Sequence, residues 1–262
     1  MELCDERPRI ALVTGASKGI GQATALCLAR SGYAVGINYH TDKSGAEATA
    51  AQIRALGRHC NIYQADLKDL AAIDAMFQAF FTDYGAIDVL VNNAGITRFA
   101  PFLETTPQLW DDVVNTDWRG SYFCAQAAAR NMVANHTRGT IVNISSNHAT
   151  GCWPRASVYG PAKAAVEKMT RNIALELAPY GIRMVGVAPG YTQVRQTTPD
   201  NEARFIRPVS SRIPMQRFAR PEEIGNLVVY LVQEQANYIT GTTIYMDGGA
   251  LLPVVPENTY MT

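Results

Sequence analysis

Tyr159 and Lys163 stand four residues apart in a segment of helical period, so a phenol and an ammonium share one helix face. A free tyrosine hydroxyl ionises near pH 10, too high for proton traffic at neutral pH. An ammonium close by favours the phenolate and brings such a hydroxyl into range. The pair can then give a proton to a carbonyl oxygen or take one from an alcohol. Thirteen residues before Tyr159 lies Ser146, with Ser145 beside it, just past a short β-branched run. Ligands of parallel sheets bind off the carboxyl ends of strands, so a serine there can polarise the same oxygen.

A second constellation is Thr14-Gly15-Ala16-Ser17-Lys18-Gly19-Ile20-Gly21, between an apolar run and an Ala-rich helical segment. The glycines let the backbone turn sharply and approach a pyrophosphate, and a helix N-terminus offers free N–H groups to it. Gly15, Ser17, Lys18, Gly19, Ile20 and Gly21 are therefore candidate dinucleotide contacts. The spacing is GxxxGxG and not the commoner GxGxxG. NAD-specific sites carry an acid at the end of the second strand, where this chain has Tyr39 followed by His40. With no carboxylate at that point, and with Lys18 in the loop and Lys43 as a second cation, NADP is expected in preference to NAD. The other chemistry-bearing residue types are less organised. The four histidines lack metal-ligand spacing, so no metal site is expected. The five cysteines, Cys4, Cys27, Cys60, Cys124 and Cys152, form no CxxC and read as reduced thiols of a cytoplasmic protein.

These groups need a frame, and the hydrophobic pattern supplies one. Strands are expected over 10–14, 34–39, 60–65, 89–92, 139–145, 184–188 and 243–246, with helices over 19–31, 44–56, 71–84, 159–180 and 221–232. A further helix opens at Pro107 with Thr106 as its N-cap. Apolar strands alternating with helices mean an α/β fold, a single doubly wound parallel sheet of the Rossmann kind. Residues 1–262 read as one dinucleotide-binding catalytic domain. The long irregular stretch 191–214 reads as a substrate-binding loop. Of the 262 residues, 47% are hydrophobic, enough for a sizeable core. Lys plus Arg equals Asp plus Glu at 23 each, so nothing draws the chain as a whole to nucleic acid or an anionic membrane. Neither a signal peptide nor a membrane span is expected, since the apolar runs are too short.

The ordered set of residues 14–21, Asn92-Asn93-Ala94-Gly95, Ser146, Tyr159-Gly160-Pro161-Ala162-Lys163, Pro189-Gly190 and Asp247-Gly248-Gly249 resembles the short-chain dehydrogenase/reductase family over residues 9–249. A lone YxxxK recurs by chance, whereas the full set in this order is specific. The resemblance implies hydride transfer between a nicotinamide cofactor and a carbonyl or alcohol carbon. It selects Ser146 over Ser145 by spacing. It puts Asn93, Ala94 and Gly95 beside the adenosine half of the cofactor, Asp66 and Leu67 at adenine, and Pro189 and Gly190 at the nicotinamide. Where the family usually has a threonine after that glycine, this chain has Val194, leaving Thr192 to contribute. The family's fourth catalytic residue is an asparagine. Alignment on Arg119-Gly120 puts Asp117 there, with Asn115 two residues earlier.

Substrate-facing candidates are Asn147, His148, Trp153 and Tyr191, with Arg98 and Arg155 in reserve. Two substrate classes fit the family pattern: sugars or polyols, and 3-oxoacyl groups on acyl carrier protein. The positions that bear basic carrier-docking residues in such reductases correspond to Thr137 and Tyr180, with Arg138 adjacent, so the expectation is a free sugar or polyol. A non-catalytic nucleotide-binding regulator is the reading from another class, and loss of Tyr159 or Lys163 would have pointed to it. The resemblance also implies a homotetramer, with the apolar tail 250–262 packed between subunits.

Overall fold

The apolar run before the first Gly-rich turn becomes a central strand of one sheet. The computed structural model describes residues 8–194 and 198–252. Strands β1 (Ile10–Val13), β2 (Ala34–Tyr39), β3 (Cys60–Gln64), β4 (Val89–Asn92), β5 (Thr140–Ile144), β6 (Arg183–Pro189) and β7 (Thr243–Met246) pair in the order β3-β2-β1-β4-β5-β6-β7. Every pairing is parallel. The order reverses between β1 and β4, so the connections leaving these two strands diverge and open a crevice at their carboxyl ends. β1, β2, β4, β5 and β6 are buried along their whole length, which explains continuous apolar runs in place of alternation.

The helices are α1 (Gly19–Arg30), α2 (Lys43–Ala55), α3 (Leu70–Tyr84), α4 (Pro107–Val113), α5 (Ser121–Ala134), α6 (Tyr159–Leu177) and, later in the chain, α9 (Pro221–Leu231). One apolar layer packs β1, β2 and β6 under α1, α2 and α9. A second packs Leu12, Leu90, Ile141 and Met184 from the other sheet face under α3 and α5. Expected and observed boundaries of the strands and long helices coincide or differ by one residue, with one larger exception. The exception is α6, which gives way at Ala178–Tyr180 to a tight 3-10 turn closed by left-handed Gly181.

Two segments depart further from expectation. The helix opened by Thr106 and Pro107 is not uniform: between α4 and α5, Val114–Gly120 forms a wide π-helical turn. The stretch expected to be irregular, 191–214, contains α7 (Pro199–Asn201), a wide turn at Glu202–Ile206 and α8 (Arg207–Ser210). Thr198 caps α7 in a reciprocal capping box, and Pro199 and Pro208 occupy early helical positions where their missing N–H costs nothing. Residues 1–7, including Cys4, and 253–262, most of the expected interface tail, lie outside the described residues. Cys27, Cys60 and Cys124 are buried and free, and Cys152 is exposed. Among the described residues no helix is long and apolar enough to cross a membrane, and no cluster of metal-ligating side chains occurs.

Candidate active site

The crevice at the carboxyl ends of the strands is a cleft of about 920 Å³ that runs from the end of β2 to the start of α6. Its floor on one side is the turn between β1 and α1. Thr14 ties this turn to the next strand: its Oγ1 accepts the N–H groups of Asn93 (2.9 Å) and Ala94 (3.0 Å). Asn93 answers by donating Nδ2–H to the carbonyls of Thr14 (2.9 Å) and Gly15 (3.1 Å). Asn93 therefore staples the loop from beneath as well as lining the cleft. Gly15 sits at φ +61°, and a Cβ there would lie 2.9 Å from Cα of Ala94. A Cβ on Gly21 would fall 2.4 Å from Nδ2 of Asn93.

Lys18 is the N-cap of α1 and supplies no side-chain cap, nor does any acid occupy the first turn. The first N–H groups of a 12-residue helix are thus left to the cleft, a fit for a pyrophosphate. Ser17, Lys18, Gly19, Ile20, Gly21, Tyr39, His40, Asp66, Leu67, Ala94 and Gly95 all line this half. Asp66 accepts the backbone N–H of Lys68 (3.0 Å) and lies 3.6 Å from Nε2 of His40. An acid does enter this end, from a source the strand-end rule overlooks. Asp42 caps α2 by accepting the N–H of Gly45 (3.0 Å), lines the cleft, and lies 3.8 Å from Nζ of Lys18, whose side chain is 79% exposed. Lys43 turns to Glu47 on the outer face of α2 (3.7 Å) and does not line the cleft.

At the other end Lys163 is 4% exposed and donates to the carbonyl of Ile144 (3.1 Å). Its Nζ lies 5.7 Å from the centre of the Tyr159 ring and 3.2 Å from Oδ2 of Asp117. The wide turn at 114–120 aims Asp117 inward, where Oδ1 accepts the N–H of Ile96 (2.8 Å). Its carbonyl is taken by Oγ of Ser121 (2.8 Å). Asp117, and not Asn115, is thus the residue of this turn that meets the lysine. Burial pushes the Asp117 carboxyl up from the usual carboxylate range against the pull of Lys163 and Ile96. Burial also disfavours the Lys163 ammonium, but Asp117 together with Tyr159 outweighs it and holds the lysine above its ordinary value.

Ser146 follows β5 in extended conformation and lines the cleft with Tyr159 and Lys163. Ser145 is engaged elsewhere, donating to Glu167 (3.1 Å) and the carbonyl of Lys163 (3.3 Å). Pro189, Gly190 and Thr192 line the same end, and Thr192 Oγ1 donates to the carbonyl of Gly190 (3.1 Å). Val194 lies over Gly19, 3.4 Å from where its Cβ would stand.

Of the four expected substrate contacts, Asn147, His148 and Tyr191 line the cleft. Trp153 does not. It stacks on His148, centroids 4.0 Å apart, and so reaches the cleft only through that ring. Nδ2 of Asn147 is buried with no hydrogen-bond partner among the described residues, which suits a polar ligand. Sequence reasoning missed the apolar part of the lining: Phe99, which stacks on His148, and Phe205, Ile206 and Phe218. Tyr191 stacks on Phe218 (5.2 Å), and Phe205 meets both edge-on. A Phe near Tyr191 and the capping pair Thr198–Asn201 were the available signals for a helical, apolar wall.

A parallel sheet with a glycine-bounded crevice, ending at a buried lysine beside a tyrosine and a serine, is a frame that suits an oxidoreductase. Residues 15–250 match the family described as enoyl-(acyl carrier protein) reductase. The 3-oxoacyl-(acyl-carrier-protein) reductase of Staphylococcus aureus is 39% identical over 239 residues, covering 91% of this chain and 96% of its own. The 3beta-hydroxysteroid dehydrogenase 1 of Eggerthella lenta is 34% identical over 253 residues, 95% of each chain. Among solved structures, acetoin dehydrogenase from Salmonella typhimurium superposes with a TM-score of 0.88 at 35% identity, over 95% of this chain and 98% of that one. The chain belongs to the short-chain dehydrogenase/reductase family.

Proposed function

We propose that this protein interconverts a small free ketone and its alcohol, using NADP(H) in preference to NAD(H), with Ser146, Tyr159 and Lys163 as its catalytic residues. The observation that carries the reading is Lys163, buried between Tyr159, Asp117 and the Ile144 carbonyl at the end of the cleft that Ser146 also lines. A nicotinamide dinucleotide held along residues 15–21, Asp66, Asn93 to Gly95 and Pro189 to Thr192 supplies or accepts the hydride. In the reducing direction Ser146 donates a hydrogen bond to the carbonyl oxygen, and Tyr159 gives that oxygen its proton. The Lys163 ammonium stabilises the phenolate left behind. In the oxidising direction the same phenolate takes the alcohol proton. Asp117 positions Lys163 and moderates its field at Tyr159.

The substrate end is half polar and half aromatic. Ser146, Asn147 and His148 share its lining with Phe99, Tyr191, Phe205 and Phe218. This suits a compact molecule with adjacent oxygens and a hydrocarbon flank, such as a vicinal hydroxyketone or diol, better than a fully hydroxylated sugar. Acetoin dehydrogenases from two organisms stand among the structural neighbours at 35% identity. The relatives that reduce 3-oxoacyl groups on a carrier favour a second reading. Against it, the docking positions Thr137 and Tyr180 are uncharged here. Preference for NADP(H) rests on Tyr39-His40 at the end of β2 and on Lys18, with Asp42 as an opposing charge. Buried free thiols suit the cytoplasm, and a homotetramer is the assembly we expect.

The test is turnover of butane-2,3-dione, acetoin, simple sugars and polyols, and a 3-oxoacyl thioester, each with NADPH and NADH. Fastest reduction of the diketone or hydroxyketone with NADPH supports the proposal. Activity confined to the carrier-bound thioester overturns it in favour of the second reading. No turnover at all would return the protein to a nucleotide-binding regulator.

A further inference from the structure

His148 meets three aromatic rings. Trp153 lies nearly parallel to it (4.0 Å, 21°), as does Phe99 (5.8 Å, 20°), and Tyr159 meets it edge-on (5.3 Å, 75°). These contacts fix the plane of the imidazole and leave it little freedom to turn. Within that plane Nδ1 lies 3.3 Å from Oγ of Ser146 and 3.3 Å from Oδ1 of Asn147. The backbone N–H of His148 also donates to Oγ of Ser146 (3.2 Å).

The donors and acceptors can be counted. An amide oxygen only accepts, so its contact with Nδ1 is attractive only if Nδ1 carries the hydrogen. With Nδ1 bare, two lone pairs would face each other, and the Ser146 hydroxyl hydrogen would be drawn to the ring. With Nδ1–H, the ring donates towards both oxygens. The Ser146 oxygen then accepts from the backbone N–H and from Nδ1–H, which occupies both of its lone pairs. Its one hydrogen has no acceptor left in this cluster and remains for a ligand oxygen in the cleft. Burial lowers the pKa of His148, which favours the neutral ring in which the choice of tautomer matters.

We infer that His148 is a positioning residue for Ser146: as the Nδ1–H tautomer it saturates the serine oxygen and turns the hydroxyl into a dedicated donor to the substrate carbonyl. The inference rests on the reading of Ser146 as the group that polarises that carbonyl. Trp153 and Phe99 join the same device, since they set the ring plane that brings Nδ1 to the serine.

The experiment is a double-mutant cycle on butane-2,3-dione reduction with NADPH, followed in single turnover so that slow variants stay measurable. His148→Phe keeps the ring stacking and removes Nδ1, and His148→Asn keeps an N–H donor close to the Nδ1 position. The expected result is about a tenfold fall in rate for His148→Phe, since one hydrogen bond to the orienting serine is lost. Dinucleotide affinity, read by fluorescence titration, stays unchanged. His148→Asn recovers most of the rate. Ser146→Ala is slower than either, and adding His148→Phe to it changes nothing further. If the two losses multiply, or if His148→Asn is as slow as His148→Phe, the positioning role is overturned while Ser146 keeps its own. If Ser146→Ala alone turns over at the wild-type rate, the reading of Ser146 falls and the inference with it. A melting curve for each variant separates a lost donor from a lost fold.

Discussion

The two halves of the cleft are built on different principles. The half proposed to hold the nucleotide is a backbone structure: Thr14, Asn93 and Asn38 tie the turn after β1 to its neighbours, and Gly15 and Gly21 leave no room for a side chain. The substrate half is a side-chain structure. Its wall is a group of aromatic rings carried partly on short helical turns that touch one another more than the sheet. A backbone site is rigid and reads a common feature such as a pyrophosphate. A wall of rings can be re-cut by substitution without moving the frame. Between them stand the proposed catalytic residues, Tyr159 and Lys163 on the long helix α6 and Ser146 just past β5.

Substitutions can break this contrast in order of size. Tyr159→Phe, in the catalytic group, should slow the chemical step by at least about a hundredfold while dinucleotide binding by fluorescence titration persists. Retention of most of the turnover would falsify the proton-donor role. Gly21→Ala, in the backbone half, forces a methyl onto Asn93. It should lower Tm by about 4–8 °C and raise the KM for the dinucleotide severalfold, with kcat least affected. An unchanged melting curve would mean the loop is looser than its hydrogen bonds suggest.

Lys18→Ala and Asp42→Asn probe a single charge pair in the same half. The first should raise the KM for NADP(H) by roughly tenfold and spare NAD(H), and the second should do the reverse more weakly. Equal effects on both cofactors would mean that neither residue reads the 2′-phosphate. Asp117→Asn should give the smallest change and the most informative one. Asp117 holds the Lys163 ammonium and partly cancels its field, so removing the charge favours phenolate formation. The basic limb of the kcat profile for alcohol oxidation should then move to lower pH by up to about one unit. The groups titrate together, so the shift belongs to the set. Superimposable profiles would exclude Asp117 from the relay.

Much of the frame was legible in the sequence, and the reasons are local. β1 is apolar throughout, and β4 and β6 are apolar except for Asn92 and Arg183 at their ends, because both faces are covered, and Thr106-Pro107 marks a helix start by cap and ring geometry. The Gly-rich turn and the helix period singled out Gly15, Tyr159 and Lys163 only in company with the ordered family motifs, and Ser146 was chosen over Ser145 by that resemblance alone. What escaped depends on tertiary contact. Asp42 looks like an ordinary helix cap, and only the packing of α2 beside the loop brings it to Lys18. Trp153 was expected to face the substrate and instead backs His148, because stacking on a ring satisfies its surface. Phe205 lies in the stretch 191–214, read as an irregular substrate-binding loop, and Phe218 just beyond it; turns this short leave no measurable period.

The wide turn at 114–120 carries one more implication, which concerns counting. Each residue of the α-helix α4 that leads into this turn advances the chain by about 100°, so deleting a single residue there would rotate Asp117 by about a quarter of a turn and swing its carboxylate off Lys163. No charged group need be altered for the pairing to vanish. The acid–lysine contact is therefore written in the length of the segment as much as in its letters. Two chains with the same residues around it but one insertion apart would run their lysines under different charge.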